Sequence, residues 1–429
     1  MVLLGDLGES VPLFLLAYTV AFLGYLIAIG TGEGLPFKIV LTAGLTYRAI
    51  LLLGDPSLSD DIYRYIWDGL VQLAEINPFE HAPESPALTG VGYPQILARV
   101  NHSDLETIYP PFAQLFFRLC AWLSPGTLTV RAGLVVWDLV AVLFLSGLAR
   151  SYDLHPSVSV IYFWNPLVIL EGAGQGHIDI MAVSLVVVAL LYVRMHAYGR
   201  AGAALALAAL TKLLPIVLLP AFWRWAGRAE ADGRSTVVAM VASRAVLVPL
   251  AFLAALGVGY APFSGIGWDV LGSLGRYATD WEFNAAVAGL LRGAGVDGGT
   301  SRWIVGAVFV CAVAVFSIRS IPPIQAAYYT MGAFILLTPT LHPWYVVWIV
   351  PFLCFYGNRG WIALTGTIPL AYVILIEYRT TGVWSEQGWV RWTLFGIAAL
   401  VWVFPLVQAR IRNKKGEPSS DGSPRCANP

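Results

Sequence analysis

Charge is scarce in this chain. Only 12% of its 429 residues are Asp, Glu, Lys or Arg, about half of the roughly 25% typical of a soluble domain. The 26 basic residues are matched by 26 acidic ones, which argues against a nucleic-acid binder, since that would show a basic face. Cysteine is also rare: Cys120, Cys311 and Cys354 lie in apolar stretches and Cys426 in a polar tail, leaving no paired spacing for a disulfide framework or a zinc site. Asp6 and Glu9 stand where a signal peptide would carry a basic segment, and no cleavage site follows; the first apolar run is therefore expected to be retained. No internal repeat of fixed period is visible.

Apolar residues fill the space that charge leaves, at 58% of positions with a mean hydropathy of +0.70. Runs at 11–30, 39–53, 301–318 and 389–408 approach the roughly 20 residues a helix needs to cross the hydrocarbon core, where every backbone amide must be satisfied internally. The expected fold is an all-α integral membrane protein, a polytopic helical bundle of about 11–13 spans. A single domain over 1–408 with external loops at 55–108 and 261–300 is expected, followed by a disordered cytoplasmic tail over 409–429 rich in Gly, Pro and Ser.

Basic clusters set the orientation. Arg224, Arg228, Arg234 and Arg244 share one short loop, and Arg410, Arg412, Lys414 and Lys415 follow the last span; both should face the cytoplasm. Counting back from the tail puts 261–300, 340–343 and 378–388 outside. Two topologies compete in the middle. If every apolar segment spans, Arg194, His196 and Arg200 fall outside, against the charge rule. If 200–223, broken by Pro215, is a helical hairpin, they fall inside and 109–124, interrupted by Arg118, need not span.

Segment 55–108 is acidic, with Asp55, Asp60, Asp61, Asp68, Glu75, Glu80, Glu84, Asp104 and Glu106 against Arg64 and Arg99. Ser59 is a plausible N-cap for a helix to about Glu75, with Asp60 and Asp61 in its first turn, where the helix dipole favours negative charge. Arg64 and Asp68 follow at the spacing of a surface ion-pair ladder. Beside the membrane edge and next to Tyr63, Tyr65 and Trp67, the same pair can also act as a general base or a cation ligand. His81, His102, Asp104 and Glu106 are metal-capable side chains without a metal-site spacing. Arg276, Arg379 and Arg391 lie on the expected external side as phosphate candidates. His342 with Trp344 and Tyr345 sits at an external boundary, where an ionisable residue is costly and tends to be functional. Gly174-Gln175-Gly176-His177-Ile178-Asp179 breaks two apolar runs, and the two topologies place it on opposite sides. Lys212, in mid-segment, reads as structural or ion-paired.

Taken in order, SDDIYRYIWDG at 59–69, INPF at 76–79 with AP at 82–83, YPP at 109–111, WNP at 164–166, GQGHID at 174–179, LTKLLP at 210–215 and HPWY at 342–345 form a series that resembles the GT-C superfamily of glycosyltransferases. The likeness is to bacterial mannosyltransferase-like members that use a polyprenyl-phosphate sugar. It implies a multi-span fold whose first external loop carries the catalytic acid residue, with the active site open on the non-cytoplasmic side. The matching positions are Asp60, expected as the base, and Asp61, its partner. The resemblance implies an inverting transfer of a hexose, mannose foremost, to a lipid, glycan or protein acceptor. Arg64, Arg276, His342, Tyr345, Arg379, His177 and Asp179 are the donor phosphate and sugar candidates. A divalent cation, Mg²⁺ or Mn²⁺, is the one cofactor left open, with Asp60, Asp61 and His81 as ligands. The expected location is a bacterial cytoplasmic membrane. A lipid-linked glycan transporter and a glycan polymerase or ligase are the competing readings.

Overall fold

The computed structural model describes residues 1–31, 34–230, 240–241, 243–319 and 321–415, side chains at 268–272, 278 and 404–415 excepted. Arg234 and the tail beyond Lys415 lie outside the described residues. The described chain is built of helices; its only β feature is an isolated parallel bridge between Phe283 and Thr340.

Among the described residues five helices are long and apolar enough to cross a membrane: Val11–Thr31, Thr127–Arg150, Arg244–Gly267, Gly298–Ile318 and Arg359–Thr381. Other apolar segments run as shorter or broken helices, such as Phe37–Leu52, Asp179–Arg194 and Pro343–Tyr356. Exposed leucine, isoleucine and valine on Val11–Thr31, among them Leu16, Val20 and Ile27, suit a lipid-facing wall, since such a face gains nothing in water. The chain is thus a polytopic helical membrane protein. One continuous core joins its first and last segments, from Val11 and Phe14 to Val390 and Leu394.

The 200–223 segment adopts the hairpin alternative. Helix Tyr198–Ala209 stops at Leu210, whose carbonyl accepts bonds from Phe112 N at 2.8 Å and Ala113 N at 3.2 Å. A short turn over Leu214–Leu218, holding Pro215, leads into helix Leu219–Glu230. Helix Leu247–Tyr260 runs parallel to Tyr198–Ala209: Gly202 packs against the Val248 carbonyl, and Gly259 against the Leu210 side chain. Two parallel neighbours require the segment between them to return. By contrast, 109–124 forms the 13-residue helix Pro111–Leu123, about 20 Å long and short of the ~30 Å hydrocarbon core. It lies against Asp61–Leu73, with Tyr65 stacked on Phe117 at 4.6 Å. A Cβ on Gly69 would sit 2.4 Å from the Phe117 carbonyl oxygen, so glycine is required there. Leu115, Leu119 and Trp122 stay exposed on the far face, as on a helix lying in an interface.

These connections sort the loops into two ends. Segments 55–108, 174–179, 210–213, 261–286, 338–342 and 378–388 share one end. At the other, Arg194 donates to the Ser151 carbonyl at 3.0 Å, and Tyr152 meets Phe355.

Candidate functional site

The helix of the acidic motif is Asp61–Leu73. Ser59, expected as its cap, lies one residue further out, and its Oγ accepts from Asp61 N at 3.3 Å. Asp60 occupies the cap position but makes no side-chain cap bond, so its carboxylate is not consumed in starting the helix. Partial burial raises the Asp60 pKa from its ordinary value; Arg99 and Arg379 oppose this, and Asp61 adds to it. Asp61 is anchored: its Oδ1 accepts from Asn101 Nδ2 at 2.9 Å.

Arg64 departs from its expected role. It is 6% exposed, with Nε on Asp68 Oδ1 at 2.9 Å and Nη2 on the Leu105 carbonyl at 2.8 Å. Asp68 also accepts from Thr107 Oγ1 at 2.6 Å and Gln114 Nε2 at 2.9 Å, and Gln114 in turn accepts from Gln72. This is a buried brace joining the loop to helix Pro111–Leu123, and it takes Arg64 out of contact with a ligand. The expected surface ladder is therefore an internal network.

Gln175 positions the motif from below. Its Oε1 accepts from Ser57 N at 3.1 Å and Leu58 N at 2.8 Å, two residues ahead of the carboxylate pair. A wide π-helical turn over Leu170–Gln175 ends at Gly176, whose φ of 83° and contact with Ile62 and Arg131 leave no room for a Cβ. GQGHID therefore shares the end that carries Asp60, which decides between the two topologies.

Beyond Gly176 a polar and aromatic floor begins. His177 Nδ1 lies 2.8 Å from Glu171 Oε2, and Glu171 accepts from the Tyr372 hydroxyl at 3.0 and 3.1 Å. Trp344 is sandwiched between His177, stacked at 3.8 Å, and His342, stacked at 4.4 Å. Burial, aided by His177 and Lys212, pushes His342 down to about 3; its ring is neutral and able to donate or accept. Asp179 holds Lys212 Nζ through both oxygens, at 2.8 and 2.7 Å, and accepts from Trp348 Nε1 at 2.6 Å. Lys212 lies over the Tyr345 ring at 4.6 Å, and the Tyr345 hydroxyl is hydrogen-bonded to that of Tyr277.

The arginine candidates are paired at the rim. Arg276 lies 3.6 Å from Asp104, both well exposed. Arg379 binds Asp6 and the Ser57 carbonyl, each at 2.9 Å. Arg391 lies 3.7 Å from Glu386. His81 does not complete a ligand set with the two aspartates: among the described residues no three His, Cys, Asp or Glu side chains converge for a metal. Lys212, expected to be structural or ion-paired, is ion-paired to Asp179 and also supplies the cation of the floor. Tyr277, Tyr372 and Trp348 had no signal in isolated motifs.

Three comparisons bear on this end of the bundle. A search of curated proteins finds no match. Among solved structures, the crystal structure of ArnT from Cupriavidus metallidurans bound to undecaprenyl phosphate aligns at 13% identity with a TM-score of 0.44, covering 89% of this chain and 72% of that one. Among protein families, residues 12–227 match the one described as alpha-(1->6)-mannopyranosyltransferase, N-terminal domain. That match spans half of the chain, including the carboxylate motif, the GQGHID floor and Lys212, and it agrees with the GT-C likeness of the ordered motifs. This chain belongs to the alpha-(1->6)-mannopyranosyltransferase family and is a membrane glycosyltransferase.

Proposed function

We propose that the protein transfers a mannosyl residue, with inversion, from a polyprenyl-phosphate mannose to a hydroxyl of a glycan or lipid acceptor at the end that carries Asp60. The observation that carries this reading is the division of labour within the pair: Asp60 has no cap bond and a raised pKa, while Asp61 is held by Asn101 at 2.9 Å. A base works best with a pKa drawn toward the operating pH. Asp60 takes the acceptor proton as the oxygen attacks the anomeric carbon, and the lipid phosphate departs.

The leaving phosphate needs positive charge or hydrogen-bond donors. Lys212 has three N–H donors, two of them held by Asp179, which leaves one for a phosphate oxygen. Neutral His342 supplies a second contact, and Trp344 and Tyr345 line the sugar. Asp60 and Asp61 are hard-oxygen donors, but no third His, Cys, Asp or Glu converges with them among the described residues, and a carboxylate that takes a proton cannot at the same time ligate a metal, so no step is assigned to a cation. The basic residues at the opposite end, Arg194, Arg200, Arg224 and Arg228, support an orientation with that end in the cytoplasm and the site facing away from it. The transporter reading is set aside by membership of a transferase family.

Incubation of membranes containing the protein with radiolabelled polyprenyl-phosphate mannose and native lipids, with products resolved by mass, should show consumption of that donor. Wild-type turnover in both Asp60→Asn and Asp61→Asn would remove the pair from the chemistry.

A further inference from the structure

A separate polar cavity of about 370 Å³ lies at the same end, lined by Glu282, Gly289, Arg292, Gly293, Glu386, Gly388 and Arg391, within the range of small-molecule sites. We infer that this cavity is a carbohydrate subsite that receives the acceptor glycan; the inference rests on the mannosyl-transfer reading above. Three observations point to a neutral polyol.

The first is charge balance. Among the lining residues two guanidinium groups face two carboxylates: Arg292 is hydrogen-bonded to Glu282, and Arg391 lies 3.7 Å from Glu386. An anion would have to displace these carboxylates, whereas sugar hydroxyls can donate to the glutamates and accept from the guanidinium groups in place. The second is unspent hydrogen-bonding capacity. Two lining atoms, Glu386 Oε1 and Arg391 Nε, make no hydrogen bond, and neither does the side chain of Asn284, which is 1% exposed behind the wall. A buried polar group without a hydrogen bond costs roughly 1–3 kcal/mol, which a hydroxyl reaching Glu386 and Arg391 would recover. Asn284 is tied to the cavity wall, because its backbone N donates to Glu386 Oε2 at 3.2 Å. It also has a φ of 48°, the left-handed region that asparagine tolerates better than most residues.

The third is location. Phe283 N donates to the Pro339 carbonyl at 3.1 Å, and Leu341 N to the Phe283 carbonyl at 2.7 Å, clamping the cavity wall to the loop of His342. The Phe283 ring lies 5.0 Å from His342 and 5.3 Å from Trp384. Trp384 and Trp389 are exposed at the rim, where an indole face can stack on a sugar ring. The cavity therefore adjoins the donor floor, one aromatic residue away.

The test uses full-length protein in lipid nanodiscs and an α-(1→6)-linked mannotriose, followed by calorimetry and by steady-state transfer. Saturable binding is expected for the wild type and for Asp60→Asn. Glu386→Gln, which keeps the shape, and Asn284→Gly, which keeps the backbone conformation, should each weaken mannotriose binding and raise the acceptor KM about tenfold, without a matching fall in kcat or rise in donor KM. An unchanged acceptor KM in both variants, with transfer intact, would overturn the subsite and leave the mannosyl-transfer reading standing. Displacement of mannotriose by inorganic phosphate would also overturn it, in favour of an anion site. Cavity-dependent mannotriose binding by a protein that consumes no polyprenyl-phosphate mannose would support the subsite and refute the donor assignment.

Discussion

Two sets of charges in this membrane protein are arranged in opposite ways. Arg48 and Asp138 form a closed pair between helices Phe37–Leu52 and Thr127–Arg150, with side chains 0% and 2% exposed and Nη2 2.5 Å from Oδ2. Arg48 Nε also bonds Asp138 at 2.6 Å, its Nη1 binds the Gly44 and Phe163 carbonyls, and its guanidinium lies 3.7 Å over the Phe163 ring. No face is left for a ligand. At the end that carries the acidic motif, Asp61 is held by Asn101 and the backbone ahead of the pair by Gln175, while Asp60 makes no side-chain cap bond. A buried charge pair that holds helices together is enclosed and paired by protein; a carboxylate proposed to take a proton has to keep one side open.

The sharpest break of this contrast is Asp60→Asn. Transfer should fall roughly 10²–10⁴-fold, the range for loss of a general base, while the protein inserts and melts normally. Because the folded state raises the Asp60 pKa, the base form is lost as pH falls through that raised value. The acid limb of kcat/KM should therefore lie above the ordinary aspartate value of about 3.9. The same sign means that the stability Asp60 contributes is present at low pH and lost as pH rises through its folded pKa; at neutral pH Asp60→Asn should be at least as stable as the wild type. A thermal melt that drops at neutral pH would show a structural carboxylate instead.

The closed pair should behave in reverse. Arg48→Met strands a buried carboxylate and should cost about 3–5 kcal/mol, whereas the double variant Arg48→Met with Asp138→Leu should recover most of it. Thermal melting in detergent checks both, and the double variant should retain transfer. If the double variant melts normally but has lost transfer, the pair is not merely structural.

Smaller effects probe the brace. Gln175→Leu leaves Ser57 N and Leu58 N unpaired, at about 1–3 kcal/mol, and should lower kcat about tenfold through misplacement of Asp60, with donor binding by calorimetry little changed. The smallest effect is expected at Arg379. Its pair with Asp6 is exposed and worth under about 1 kcal/mol, so Arg379→Ala should change turnover by no more than about twofold. A large, salt-dependent rise in donor KM would instead make Arg379 a phosphate ligand.

Much of the candidate site stands out as a pattern. The Asp60–Asp61 pair, His177, Asp179 and His342 each carry charge or imidazole where apolar residues surround them, and such placements are costly enough to stand out. Lys212 carries the same signal and reads as structural or ion-paired; its partner Asp179 is 33 positions away, so no local period could name it. Arg64 misled for a local reason: the i, i+4 spacing to Asp68 was correct, but the face it marks is packed against Leu105, Thr107 and Gln114, which only folding places there. Asn284 and Glu386, 102 positions apart, had no linear signal.

Composition and hydropathy by themselves determined that this is a helical membrane protein with its acidic chemistry in one loop, because the hydrocarbon core admits few alternatives to apolar helices. The ordered motifs carried the family. Tertiary structure alone decided that 200–223 turns back while 109–124 packs along the boundary, and so that GQGHID, Lys212 and HPWY meet beneath Asp61. Those contacts join residues far apart in the chain through hydrogen bonds and ring stacking, which no local periodicity encodes.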